Sequence, residues 1–171
     1  LRHRLSIGNT IALTMVMGGL FGFINSIQQI VFDVFERPDL MAFVFAGIAG
    51  PMALSSWLNS RIVERIGSRR IMLWALGAFT FFAALHLALV AFHAETLLVF
   101  VLLQALTMAS FGLISANLGA IAMEPLGHIA GTASSVQGMI TTVGGSLVGL
   151  AIGQSFNGTT VPFLLGFTLC G

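Results

Sequence analysis

Lysine and tyrosine are absent from this chain of 171 residues, and cysteine occurs once. Without lysine there is no amine for Schiff-base chemistry. Cys170 has no second thiol with which to form an internal disulfide or share a metal ion. Charge is scarce as well. Charged residues make up 8% of the chain, against about 25% in an ordinary soluble domain. Seven arginines and six carboxylates leave a formal net charge of +1. No basic surface exists to neutralise phosphates, so nucleic acid is not an expected partner. What fills the chain instead is apolar. Hydrophobic residues are 57%, with 20 glycines and 15 phenylalanines besides, and the mean hydropathy is +1.00. Soluble domains, disordered tails and coiled coils are excluded. An all-α polytopic membrane protein remains, and the length fits one domain over residues 1–171.

A helix that crosses the hydrocarbon needs about 20 mainly apolar residues. Five such spans are predicted, at residues 7–32, 40–58, 71–92, 96–122 and 129–154. A sixth begins near Val161 and reaches Gly171, too short to cross as a helix. The first residue is leucine. Both ends are therefore expected to be cuts in a longer protein. The first apolar run is too long for a secretory signal and has no cleavage site.

Arginine sets the expected orientation. Arg2 and Arg4 precede span one, and Arg61, Arg65, Arg69 and Arg70 lie between spans two and three. Only Arg37 falls on the other side, among Asp33, Glu36 and Asp39. Arginine-rich loops stay in the cytoplasm. The N-terminus and residues 61–70 are thus expected inside, and the acidic loop outside.

Enzyme signatures are missing: no H-E-x-x-H, no paired-cysteine site, no Walker loop and no G-x-S-x-G. No catalytic residue, metal or cofactor is expected. The polar residues within the spans are more telling, since an amide in hydrocarbon must find a partner. Asn25, Ser26 and Gln29 in span one, Gln104, Thr107 and Ser115 in span four, and Gln137 and Thr141 in span five are candidate cavity residues. Hydrogen bonding between helices is the plainer reading of the same residues. Gly131, Ser135, Gly138, Thr142, Gly145 and Gly149 recur at helical spacing and predict a stripe for close helix packing. Gly50-Pro51 predicts a kink in span two. His86 stands alone in span three with no neighbour in sequence to pair with, which favours a structural role. All six acids fall in loops or at span ends. A membrane-depth proton carrier is therefore expected outside this chain, with Asp33 the nearest exception.

The loop from Asn59 to Arg70 carries an acid, Glu64, then Arg65, Gly67, Arg69 and Arg70. Glu64 paired with an arginine could lock two span ends together and bias a cytoplasmic gate. A positive-inside anchor with a tight turn is the simpler alternative.

Here the sequence resembles a known family. Residues 59–70 are similar to the loop signature G-x-x-x-D-R-x-G-R-[KR] of the major facilitator superfamily, in its second-half form. Residues 116–123 and 130–138 resemble the region between the tenth and eleventh helices of the bicyclomycin/chloramphenicol-resistance type of drug:proton antiporter. The resemblance covers nearly the whole chain. It implies the C-terminal six-helix bundle of a twelve-helix fold, with the last helix truncated. It further implies a bacterial inner membrane protein that exports small amphiphilic compounds against protons by alternating access. Its partners would be the lipid bilayer and an N-terminal six-helix bundle of the same protein. Spans one, two, four and five would line the cavity, and spans three and six would face lipid. A non-transporting membrane scaffold is the alternative.

Overall fold

The computed structural model describes residues 2–171. Leu1 and the side chains of Arg2, His3, Leu5 and His128 lie outside the described residues, and with them the contribution of Arg2 to the charge bias. Six α-helices follow one another: α1 (Arg2–Gln29), α2 (Met41–Ile66), α3 (Ser68–Ala91), α4 (Leu97–Met123), α5 (Ala130–Gln154) and α6 (Val161–Cys170). No strand occurs among the described residues. Five helical stretches are long and apolar enough to cross a membrane, and α6 is shorter. In hydrocarbon every backbone N–H and C=O must be satisfied within the segment, so such apolar sequence has to be helical.

α4 is the centre. It packs against α1, α2 and α3, and α6 fits between α1 and α3. Val16, Ile48, Phe79, Phe100, Ile114, Leu164 and Phe167 are fully enclosed in the shared core. α5 lies almost wholly against α1. α2 and α5 each leave a broad apolar face open: Phe43, Leu54 and Trp57 on one, Met139, Val143 and Leu147 on the other.

The predicted spans hold, with one element redrawn. Residues 59–66 are not loop. α2 continues to Ile66, and the reversal takes place at Gly67 alone, whose φ of 89° favours glycine. Ile62, Val63 and Ile66 stay partly buried, which keeps the last turns of α2 against the bundle. Pro51 sits within α2 without ending it. At the opposite end α1 closes in a π-helical turn, Ile30–Val34, placed directly after the amides of its last turn. The end holding Gly67 is called the arginine end below, and the end holding residues 30–40 the acidic end.

Candidate functional site

The eight candidate cavity residues do not converge on one pocket. Gln104 and Thr107 are buried in the packed face of α4. The Thr107 hydroxyl donates to the Leu103 carbonyl at 2.8 Å, which satisfies it locally. Thr141 is buried in α5 and likewise donates to the Gln137 carbonyl at 2.9 Å. Ser115 is half-buried. Asn25 and Gln29 are exposed on α1, Asn25 beside Gly153 of α5, whereas Ser26 is buried. Three candidate residues stand out because a buried polar atom has no partner: Ser26 Oγ, Gln104 Nε2 and Gln137 Nε2. A buried donor left unpaired costs roughly 1–3 kcal/mol.

Gln137 borders a cavity of about 350 Å³ in the arginine half of the bundle. α1 contributes Ser6, Thr10 and Ile11, α5 contributes Thr132, Val136 and Ile140, and Met123, Leu126 and Ile129 close its end. Ser6 itself donates to the Ala122 carbonyl at 2.7 Å, tying α1 to α4 below the cavity. The walls are apolar, with a few hydroxyls and one spare amide. That arrangement suits a small amphiphile.

The small-residue stripe is used over half its length. A methyl placed at Gly145 would lie 3.0 Å from Met17 Cβ, and one at Gly149 would lie 2.8 Å from the Gly22 nitrogen. Gly144 and Gly153, outside the predicted stripe, meet Thr14 and Asn25 just as closely. Gly131, Ser135, Gly138 and Thr142 are exposed, and a methyl at Gly131 or Gly138 would meet nothing within 4 Å. The physical reason is that the stripe turns off the side of α5 that faces α1: in the arginine half Thr132, Val136, Gln137 and Ile140, not the stripe, border the cavity shared with α1.

The gate residues divide in the same way. Asn59 is buried and accepts a 2.7 Å hydrogen bond from Asn117 Nδ2, which joins α2 to α4. Glu64, Arg65, Gly67, Arg69 and Arg70 are exposed. Among the described residues Glu64 forms no ion pair, so no lock of the predicted kind closes within this bundle. In water such a pair gains little. Arg61 instead lies 5.3 Å from the centre of the Trp57 ring. At the acidic end Arg37 makes two 3.0 Å hydrogen bonds to Asp39. These bonds hold the exposed Asp39 carboxyl below its ordinary value.

One cluster went unseen in the sequence. His86 is not alone: its Nε2 lies 3.0 Å from Glu95 Oε1. Glu95 is not a free loop acid: the Thr160 hydroxyl donates to its Oε2 at 2.6 Å. His93, at φ 55°, reverses the chain after α3. Ala94 N then bonds back to the Leu89 carbonyl at 2.9 Å, which folds Glu95 under the end of α3. Only the spacing of a histidine and an acid on either side of a short turn could have signalled this.

Fold and polar interior together define an all-helical bundle of a polytopic membrane protein, with unpaired polar groups buried inside it. Among curated proteins the chain is similar to one named bicyclomycin resistance protein homolog, from Haemophilus influenzae. The two are 27% identical over 165 residues, which cover 96% of this chain and 41% of that protein. The match falls in the C-terminal part of the relative. The resemblance drawn from residues 59–70 and 116–138 therefore has a counterpart in a relative of the bicyclomycin-resistance type. No protein-family model matches the chain, and no solved structure matches it.

Proposed function

We propose that this bundle is the C-terminal half of a proton-coupled secondary transporter that exports small amphiphilic compounds by alternating access. The observation that carries the reading is the set of buried, unpartnered polar atoms on Ser26, Gln104 and Gln137. A static bundle gains nothing by keeping such groups in an apolar interior, whereas a transporter needs donors that a passing substrate can use. The open apolar faces of α2 and α5 support a second six-helix bundle of the same protein as their cover. Asn25 and Gln29, exposed on α1, would then face the passage between the halves. The free charges of Glu64, Arg65, Arg69 and Arg70 would find their gate partners across that passage. The relative's name supports drug export, and bicyclomycin is the first compound to try.

The test uses the intact protein in vesicles carrying a pH gradient. Bicyclomycin accumulation is expected to follow the gradient. Gln104→Met is expected to keep the melting temperature and lower apparent substrate affinity about tenfold, the worth of one hydrogen bond near 1.4 kcal/mol. If neither bicyclomycin nor other small amphiphiles move, the scaffold reading takes over.

Orientation has its own check. With the arginine end in the cytoplasm, a cysteine at the exposed Asn157 should react with an impermeant thiol reagent added outside, and one at Ser68 should not. The reverse labelling pattern would invert the topology.

A further inference from the structure

The cavity between α1 and α5 holds no charge. Among the described residues that line it, the polar side chains are Ser6, Thr10, Thr132 and Gln137, and the rest are apolar. Glu124, the acid nearest to it along the chain, borders a separate hollow with Ser68 and Arg69. Arg4 is exposed one turn before Ile7, on the face of α1 that carries Ile7 and Ile11. The nearest charge along this wall is therefore positive. Gln137 Nε2 is buried and has no partner. The last torsion of a glutamine is broad, so the amide can turn towards the cavity at little cost. Ile7 and Ile11 on one wall and Val136 and Ile140 on the other are exposed, which leaves the cavity open along its side. Val136 and Ile140 continue as Val143 and Leu147, the face of α5 proposed to meet the second bundle.

We propose that this cavity binds amphiphiles that carry a hydrogen-bond acceptor and no positive charge. The inference rests on the transport reading for what the protein moves, and adds the class of compound and the place where it binds. A volume of about 350 Å³ is at the lower end of small-molecule pockets and takes one compact body. A pure hydrocarbon would fill the walls and leave the Gln137 donor unpaired. A carbonyl or ether oxygen satisfies it, and finds no such donor in the surrounding hydrocarbon. A cation is refused twice. No carboxylate in the walls replaces its lost hydration, and Arg4 stands at the approach. Selection is thus made by one amide donor and by the absence of any acid beside it.

The experiment compares two photoreactive probes built on one skeleton, benzophenone and its trimethylammoniomethyl derivative. Each is illuminated at low concentration with the purified intact protein in lipid nanodiscs, and the adducts are located by mass spectrometry. Benzophenone is expected to label residues 6–11 and 132–140. The cationic probe is expected to label them roughly a hundredfold less, as an unpaired charge at membrane depth requires. Gln137→Leu keeps the bulk without the donor, and benzophenone labelling should fall about tenfold. Gln137→Glu supplies the missing carboxylate and should admit the cationic probe. Val136→Trp, at a half-exposed position, should fill the cavity and abolish labelling by benzophenone. Equal labelling by the two probes would overturn the proposal, and so would benzophenone labelling that survives Val136→Trp. Labelling as expected with no amphiphile transported would sink the transport reading and leave the site. Transport of amphiphiles with no adduct in these residues would sink the site alone.

Discussion

Gly149→Leu is expected to part α1 from α5 and to leave the intact protein unable to transport. A side chain at Gly149 has no room to turn. Its first carbon would press on Phe21 Cβ and lie 2.8 Å from the Gly22 nitrogen, and the latter is backbone that cannot rotate away. Small residues in membrane helices let two backbones approach, and most of the attraction between such helices is close packing. Forcing them apart loses that packing along the whole seam, which includes Gly145 on Met17 and Gly153 on Asn25. The expected loss is about 3 kcal/mol, the upper end of ordinary overpacking costs. Thermal unfolding of the purified protein would read it. Gly138→Leu is the matched control. A side chain there meets nothing within 4 Å in this bundle, so the melting temperature should hold. Transport should nonetheless stop, because the second bundle proposed to cover α5 would meet a bulky side chain on this exposed half of the stripe. A melting loss at Gly138 equal to that at Gly149 would refute the division of the stripe.

That division shows where sequence alone stops. Small residues every three or four positions define one face of a helix, and the face is real. How far along it a neighbour stays close depends on the angle between two axes, which no single-helix pattern contains. The five spans were legible because hydrocarbon allows an apolar stretch little choice but helix. The boundary at residue 59 was not, since five charged residues between 61 and 70 read as loop, while Gly67 by itself makes the turn. Asn59 consequently moved from a gate to a buried bond with Asn117. The polar residues of α4 read as cavity candidates, yet whether Gln104 or Thr107 keeps a spare donor depends on which backbone carbonyls lie within reach. His86 and Glu95 meet only because His93 takes a left-handed conformation, a choice that histidine makes uncommonly.

Gly112 is the other position where one carbon should matter most. It is one of two glycines in α4, in a series of small residues with Ala105, Ala109, Ala116 and Gly119. Yet a methyl there would lie 2.6 Å from the Met52 carbonyl oxygen and 2.7 Å from Ser56 Oγ. Ser56 Oγ also donates to the Gly112 carbonyl at 3.3 Å, so a side-chain hydrogen bond joins α2 to α4 at this point. α2 packs chiefly on α4 and barely on α3. If the contact at Gly112 is forced open, little else retains α2. Gly112→Ala is therefore expected to cost about 2 kcal/mol, within the range for inserted methylenes in a packed core, and Gly112→Leu to release α2 altogether. Truncating the serines should not rescue Gly112→Ala, because the Met52 carbonyl remains. Gly18→Ala offers the contrast. The atoms nearest its new carbon belong to the side chain of Val148, with Cβ at 2.6 Å, so Val148→Gly should recover much of the loss. Measured by thermal unfolding of single and double variants, rescue at both sites or at neither would mean that backbone and side-chain contacts yield alike. The distinction between the two seams would then be lost.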